Sequence, residues 1–130
     1  MQKGMYTYAW DLQEEGVKTV VDRLCNAGLN TVTVATSYHA GKFLRPHAPQ
    51  NKVYFPEDGT VYFQPDLSRY CRVKPRVSNI VDNFDALREL EKHTPDINCT
   101  SWTVGLHNTP LGNEYPDLTV KNVFGDPLFN

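Results

Sequence analysis

The sequence predicts an α/β chain built on a mainly parallel sheet, and three features point there. A strand, an amphipathic helix and a second strand follow one another within about 30 residues, the span of a βαβ unit. An aromatic-rich stretch over 40–77 then interrupts the alternation with a hairpin pattern, and a second helix and third strand follow. In the order β-α-β-(hairpin)-α-β, strands that return through a helix run in the same direction, and the crossover is expected to be right-handed.

Tyr6 to Trp10 alternates aromatic and small residues and reads as a short strand. Asp11 offers a side-chain acceptor to free helix N–H groups, and Glu14 stands three residues on, as in a capping box. Val17, Val20, Val21, Leu24 and Cys25 form one apolar stripe, and Gly28 can take the left-handed conformation that closes the helix. Leu29 to Ala35 is β-branched and uncharged, as in a strand covered on both faces, and the polar cluster Thr36-Ser37-Tyr38-His39 begins where that strand ends.

The connection over about 40–77 is long for a βα link. Within it, Val53-Tyr54-Phe55 and Val61-Tyr62-Phe63 flank Asp58-Gly59, which predicts a β-hairpin decorating the mouth of the fold. A helix is expected from Ser78 or Asn79 to His93, with Ile80, Phe84, Leu87 and Leu90 inward and Asp85, Arg88, Glu89 and Lys92 outward, stopped by Pro95. Cys99 to Leu106 reads as the third strand, with Trp102, Val104 and Leu106 on one face and Trp102 in the core. The tail through Gly112, Asp126 and Pro127 has turn residues and no clear element.

Composition narrows the function. The chain has 130 residues, 40% hydrophobic and 22% charged, with a net charge of −2 and no basic stripe, so no nucleic-acid partner and no anionic membrane is expected. The short cluster Arg69, Arg72, Lys74 and Arg76 reads as a solvated loop. Three scattered cysteines make no CxxC pair and no zinc spacing; Cys25 and Cys99 are expected to be buried. No signal-like or membrane-spanning run is present, so a reduced, cytoplasmic setting is expected. Asn98-Cys99-Thr100 matches a glycosylation tripeptide only incidentally, given its strand position.

A three-stranded parallel sheet leaves two open edges and apolar surface that further chain or a second copy must cover. No Gly-rich dinucleotide loop follows the first strand, which argues against a nucleotide-binding domain. An eight-unit barrel would supply the missing strands, at about 250 residues. The ending is expected to leave Phe129 exposed, with no capping signal.

A resemblance bears on the same question. Tyr38-His39-Ala40-Gly41-Lys42, Trp102 to Thr109 and Val120 to Pro127 resemble the N-terminal part of bacterial glycoside-hydrolase-like TIM-barrel proteins, over most of the chain from Tyr6 onward. The resemblance implies a partial (β/α)8 TIM barrel: the first three βα units, in one incomplete domain over 1–130, with the insertion at about 40–77. It also implies that the acid and nucleophile lie on later strands, so this portion is expected to be inactive alone.

In barrel enzymes the reactive groups sit at the C-terminal strand ends. That rule selects Trp10 and Asp11 after the first strand, Tyr38 and His39 after the second, and His107 and Asn108 after the third. Aromatic rings with hydrogen-bonding side chains suit sugars, which stack their C–H faces on aromatics, so a carbohydrate ligand is the expected partner. Each residue has a structural alternative: Asp11 as a helix cap, His39 bonded to backbone, His107-Asn108 as a satisfied pair. Lys42 reads as exposed. Glycoside hydrolysis needs two carboxyl groups, but Glu57 and Asp58 read as a solvated turn, and Glu114 and Asp117 have no evident partners. No cofactor is expected, and His39, His47 and His107 carry no metal-ligand spacing. No G-x-S-x-G elbow is present. Two other readings stay open: a self-associating partial barrel without catalysis, and a small α/β binding module whose long insertion folds over the sheet and buries Tyr54, Phe55, Tyr62 and Phe63.

Overall fold

A computed structural model describes residues 1–93 and 95–128. It is a mixed α/β fold. Strand β1 (Gly4–Tyr8) is followed by helices α1 (Ala9–Glu15) and α2 (Val17–Asn26), then by β2 (Thr31–Tyr38). The 40–77 segment contributes four two-residue strands, β3 (Phe43–Leu44), β4 (Val53–Tyr54), β5 (Thr60–Val61) and β6 (Arg76–Val77). Helix α3 (Ala86–Glu91) and strand β7 (Asn98–Thr103) come next, then α4 (Thr109–Glu114) and the small strands β8 (Val120–Lys121) and β9 (Pro127–Leu128).

The centre is β2, with β1 parallel to it on one side and β7 parallel on the other. Alternate residues of β2 separate two environments. Val32 and Val34 are fully buried in one cluster with Leu12 of α1, Val21 and Leu24 of α2, and Ala86 and Leu90 of α3. All three helices therefore lie on that face. On the other, Thr33 Oγ1 meets Thr100 Oγ1 at 2.7 Å and Tyr6 packs edge-on against Trp102 at 5.5 Å. Among the described residues no helix covers this side, and Tyr6 is 69% exposed. β1 and β7 each pair with β2 alone among the described residues.

The apolar stripe expected over 17–25 forms as α2: Val17, Val21 and Leu24 are buried, and Gly28 sits at φ 77°. There Leu29 N–H donates to Leu24 C=O and Gly28 N–H to Cys25 C=O, both at 2.9 Å, closing the end with a left-handed residue. Cys25, expected in the core, is exposed because its position lies at the edge of the stripe. Cys99 is half-buried, and burial raises its thiol pKa.

Several expectations are corrected. β1 stops at Tyr8, so Trp10 belongs to α1 and not to a strand end. Asp11 does not cap the helix: Tyr8 holds the cap position without a side-chain bond, and Asp11 and Glu14 both turn to Arg45. The helix over 78–93 is divided. Ser78 caps a short 3-10 turn at Asn79–Asp82, and Asp85 accepts from Arg88 N–H to start α3, so two capping side chains split one apolar stripe. β7 ends at Thr103, leaving Leu106 94% exposed. The tail is not featureless: Asn108 caps α4, Pro110 occupies its first turn, and β8 pairs with β9. The expected exposure of Phe129 lies outside the described residues.

The hairpin expected around Asp58-Gly59 does not form. Its two arms take different partners: β4 pairs antiparallel with β3, and β5 pairs antiparallel with β2 and parallel with β6. Since Ser37 pairs Thr103 of β7 and Val61 of β5, β5 occupies the edge of β2 beyond the end of β1. Burial explains the choice. Tyr62 is 1% exposed and meets Trp10 edge-on at 5.4 Å, while Tyr54 packs on the same indole at 4.9 Å. A two-stranded hairpin standing in water would leave both rings wet.

Candidate functional site

The C-terminal ends of β2 and β7 lie side by side, and the loops leaving them gather at one rim. A register shift places Thr36 as an extra residue between Ala35 and Ser37, opposite consecutive Trp102 and Thr103. Such a bulge re-aims the residues beyond it. Tyr38, which plain alternation would send to the helix face, instead meets the rings flanking Ala35: Tyr8 at 5.3 Å and Trp102 at 5.1 Å. Thr36 itself is buried and donates to Trp102 C=O at 3.1 Å, which fixes the bulge.

From Tyr38 the aromatic wall extends in two directions. Phe43 packs against Tyr38, Tyr8 and Trp10. His39 stacks on the Tyr38 ring at 4.4 Å, nearly parallel, and meets His107 edge-on at 5.0 Å. Both histidines are half-buried. His39 Nδ1 lies 2.6 Å from Ala40 C=O; since a carbonyl only accepts, that nitrogen carries the proton, and in the neutral ring the lone pair falls to Nε2. Ala40 N–H donates to Asp58 at 2.9 Å, tying this loop to the insertion.

The remaining candidate residues are held differently. Trp10 is 2% exposed, stacked at 4.5 Å on Tyr8, and its Nε1 is buried without a hydrogen-bond partner among the described residues. Asp11 accepts from Arg45 Nε at 3.1 Å; burial raises its carboxyl pKa against the opposing pull of Arg45. Arg45 is a buried cation paired with Asp11 and Glu14 and lying over the Tyr54 ring at 5.2 Å. Asn108 uses its whole amide structurally: Nδ2 donates to Gly59 C=O at 3.0 Å and Oδ1 accepts from Leu111 N–H at 3.0 Å. Gly59, at φ 62°, is closed to any side chain, because an added Cβ would collide with the Asn108 amide.

Thus Tyr38, His39 and His107 come together at one rim, Asn108 supports it, and Trp10 and Asp11 lie beneath. Sequence reasoning missed Phe43, Tyr8 and Arg45; only the aromatic pattern near residue 40 carried a signal. Lys42 is exposed, as expected.

The acidic residues are not free. Glu57 accepts from Ser78 Oγ, from Asn79 N–H at 3.1 Å and from Asn79 Nδ2 at 2.7 Å, so it braces the insertion against the start of the 3-10 turn. The expected solvated turn is therefore a bracket. Asp117 forms a bidentate pair with Arg72 at 2.7 and 2.8 Å, and the hydrogen bonds from that guanidinium hold its carboxyl below the usual range. An open polar hollow of about 600 Å3 is lined by Glu57, Asp58, Thr60, Arg76, Asn79 and Pro110. Among the described residues no three histidine, cysteine or acidic side chains cluster as a metal centre, and no helix is long and apolar enough to cross a membrane.

Burial pushes the Tyr62 phenol up to about 12. Burial and a hydrogen bond to Tyr38 raise Tyr8 further still, so both phenols stay neutral across the physiological range. What the rim offers a ligand is ring faces, two imidazoles and hydroxyl groups. Comparison with family models, with curated proteins and with solved structures finds no match.

Proposed function

We propose that this chain forms the first three βα units of a glycoside-hydrolase-like TIM barrel and supplies part of its carbohydrate-contacting rim, without the hydrolytic carboxyl pair. The observation that carries this reading is the meeting of Tyr38, His39 and His107, backed by Phe43 and Trp102, at adjacent strand ends. The rings are half-buried, and half-buried aromatics with polar edges suit sugar faces. The barrel part of the reading draws on strand order. β1, β2 and β7 are parallel neighbours in chain order, and their helices share one face. Sequential parallel neighbours with helices on one face are what the opening units of a barrel present, an order that one half of a doubly wound sheet shares.

Hydrolysis would fall to carboxyl groups on other strands, since Glu57 is engaged by Ser78 and Asn79 and Asp58 by Ala40. The three unpaired cysteines accord with a reducing, cytoplasmic setting. The test is a titration with neutral oligosaccharides of differing linkage, followed by indole fluorescence. Saturable quenching that vanishes in Tyr38→Ala and in Trp102→Phe is expected. Flat titrations with every sugar at millimolar concentration would remove the reading.

A second reading has its own support: β1 and β7 have outer edges without a strand partner among the described residues and Tyr6 is bare, as in a partial barrel that self-associates. Sedimentation separates the two, because self-association predicts a symmetric oligomer at micromolar concentration, whereas a sugar-binding monomer sediments as one chain.

A further inference from the structure

We infer that His39 and His107 form a two-histidine site for a borderline divalent cation of the zinc or nickel kind. Four observations carry it. The first is spacing. Two imidazoles bound to one tetrahedral ion through bonds of ~2.0–2.1 Å place their ring centroids about 5 Å apart. His39 and His107 stand at 5.0 Å, with ring planes inclined by 69°. The centroid spacing matches that of two ligands of a single ion.

The second is the tautomer. Ala40 C=O accepts from His39 Nδ1 at 2.6 Å, which leaves Nε2 as the nitrogen with a free lone pair. A ligating histidine is ordinarily backed in this way: its second nitrogen donates to a carbonyl or carboxylate, which fixes the ring and raises the basicity of the ligand.

The third is support for the His39 ring and for the backbone that carries His107. His39 is stacked on Tyr38 at 4.4 Å, and the peptide that backs it is held in turn by Asp58, which accepts from Ala40 N–H at 2.9 Å. His107 precedes Asn108, whose amide bonds Gly59 C=O and Leu111 N–H, so the backbone carrying His107 is anchored to both the insertion and α4. Little ordering remains to be done when the ion arrives.

The fourth is donor chemistry. Two imidazole nitrogens suit zinc, nickel or copper, and do not suit calcium or magnesium, which take oxygen ligands. Among the described residues no third histidine, cysteine or acidic side chain completes a protein-only set. The other coordination positions fall to water or to a ligand oxygen, one protein ligand fewer than the three of a catalytic zinc site. The inference goes beyond the carbohydrate reading, because the ion binds whether or not a sugar follows.

The experiment uses nickel chloride as the probe and the whole chain. Nickel is paramagnetic, so a substoichiometric titration followed by proton NMR reports which imidazoles lie beside it. The expected result is joint broadening of the His39 and His107 ring signals, with those of His47 and His93 unchanged as internal controls. Calorimetry with zinc chloride should give one ion per chain. His39→Gln and His107→Gln should each weaken binding by about 10-fold or more, the scale of loss when a metal site loses support, while His47→Gln leaves it unchanged. Even broadening of all four histidines, or an affinity that survives either glutamine variant, overturns the site. Where a variant does not fold, judged by far-ultraviolet circular dichroism, the broadening pattern of the unaltered chain decides.

Discussion

The two faces of the central sheet differ more than any other pair of regions in this molecule. On one, Val32 and Val34 are fully buried beneath α1, α2 and α3. On the other, Tyr6, Thr33, Thr100 and Trp102 line a surface that no helix among the described residues covers. Parallel sheets are normally shielded on both faces, and here the shield is one-sided. The exposed side is not apolar in the manner of a failed core. A threonine–threonine hydrogen bond and an edge-on aromatic pair occupy it, a composition that tolerates both water and contact. The difference teaches that the helices gather the core on one side of the sheet and leave the other to a mixed polar and aromatic surface. Substitutions on the two faces, and at the rim between them, measure how deep that contrast runs.

The largest effect belongs to the covered face. Leu90 is fully buried among α1, α2 and β2 residues, so Leu90→Ala should destabilise the chain by about 2–5 kcal/mol, the range for a cavity left by a buried leucine. Urea unfolding measures it. A loss below ~1 kcal/mol would mean that the helix layer is loosely seated and that the two faces are alike.

Next comes alkaline pH. Tyr62 is 1% exposed and its phenol is pushed up from 10.0 to about 12 by burial. The folded state therefore holds this proton more tightly than the unfolded chain does. Stability is unaffected below the unfolded value, falls as pH rises between the two, and is lower by about 2–3 kcal/mol above the folded value, at ~1.4 kcal/mol for each unit. Tyr8, whose phenol is raised further, contributes to the same slope, so Tyr62→Phe should remove only the Tyr62 share, about 2–3 kcal/mol. An unfolding free energy that stays level from about pH 9 to about pH 12, at the precision of the ~2 kcal/mol expected, would place Tyr62 in water and the insertion off the core.

Asn108→Ala comes third. It removes the α4 cap and the bond to Gly59 C=O together, for an expected loss of about 1–2 kcal/mol. Because Asn108 joins the end of β7 to the insertion, its loss should also blur the His107 NMR signal. A sharp, unshifted His107 signal in this variant would show that the rim is held from the sheet alone.

Legibility in the sequence depends on whether the deciding interaction is local. β2 and α2 are legible because a β-branched run, a 3.6-residue stripe and Gly28 each act over a few residues. Tyr38 and His39 are legible from the strand-end rule, since that needs only where β2 stops, whereas His107 lies four residues past the end of β7. The hairpin signal misleads because Tyr54 and Tyr62 choose their partners by burial against Trp10, a contact across more than forty residues of sequence. Asp11 misleads for the same reason: buried Arg45 outcompetes the helix N-terminus for its carboxylate. The split of the 78–93 helix and the start of α4 have visible signals in Ser78, Asp85, Asn108 and Pro110, masked by a continuous apolar stripe in one case and by Gly112 in the other. The bulge at Thr36, which delivers Tyr38 to the rim, leaves no mark in the sequence.

The smallest expected effect is the most decisive for the contrast of faces. Tyr6 is 69% exposed, and its ring touches Trp102 at 5.5 Å. If the bare face is open in solution, Tyr6→Ser removes one edge-on ring contact and should change stability by no more than ~1 kcal/mol. The protein concentration should then make no difference, because no partner shields the ring. If a second copy or further chain covers this face, the same substitution disturbs a wider contact. Its effect then grows toward that of Leu90→Ala and rises with protein concentration, as mass action requires when association stabilises the fold. Urea unfolding of both variants at two concentrations about a hundredfold apart therefore separates an open ligand-facing wall from a buried interior, and it does so without assuming any ligand.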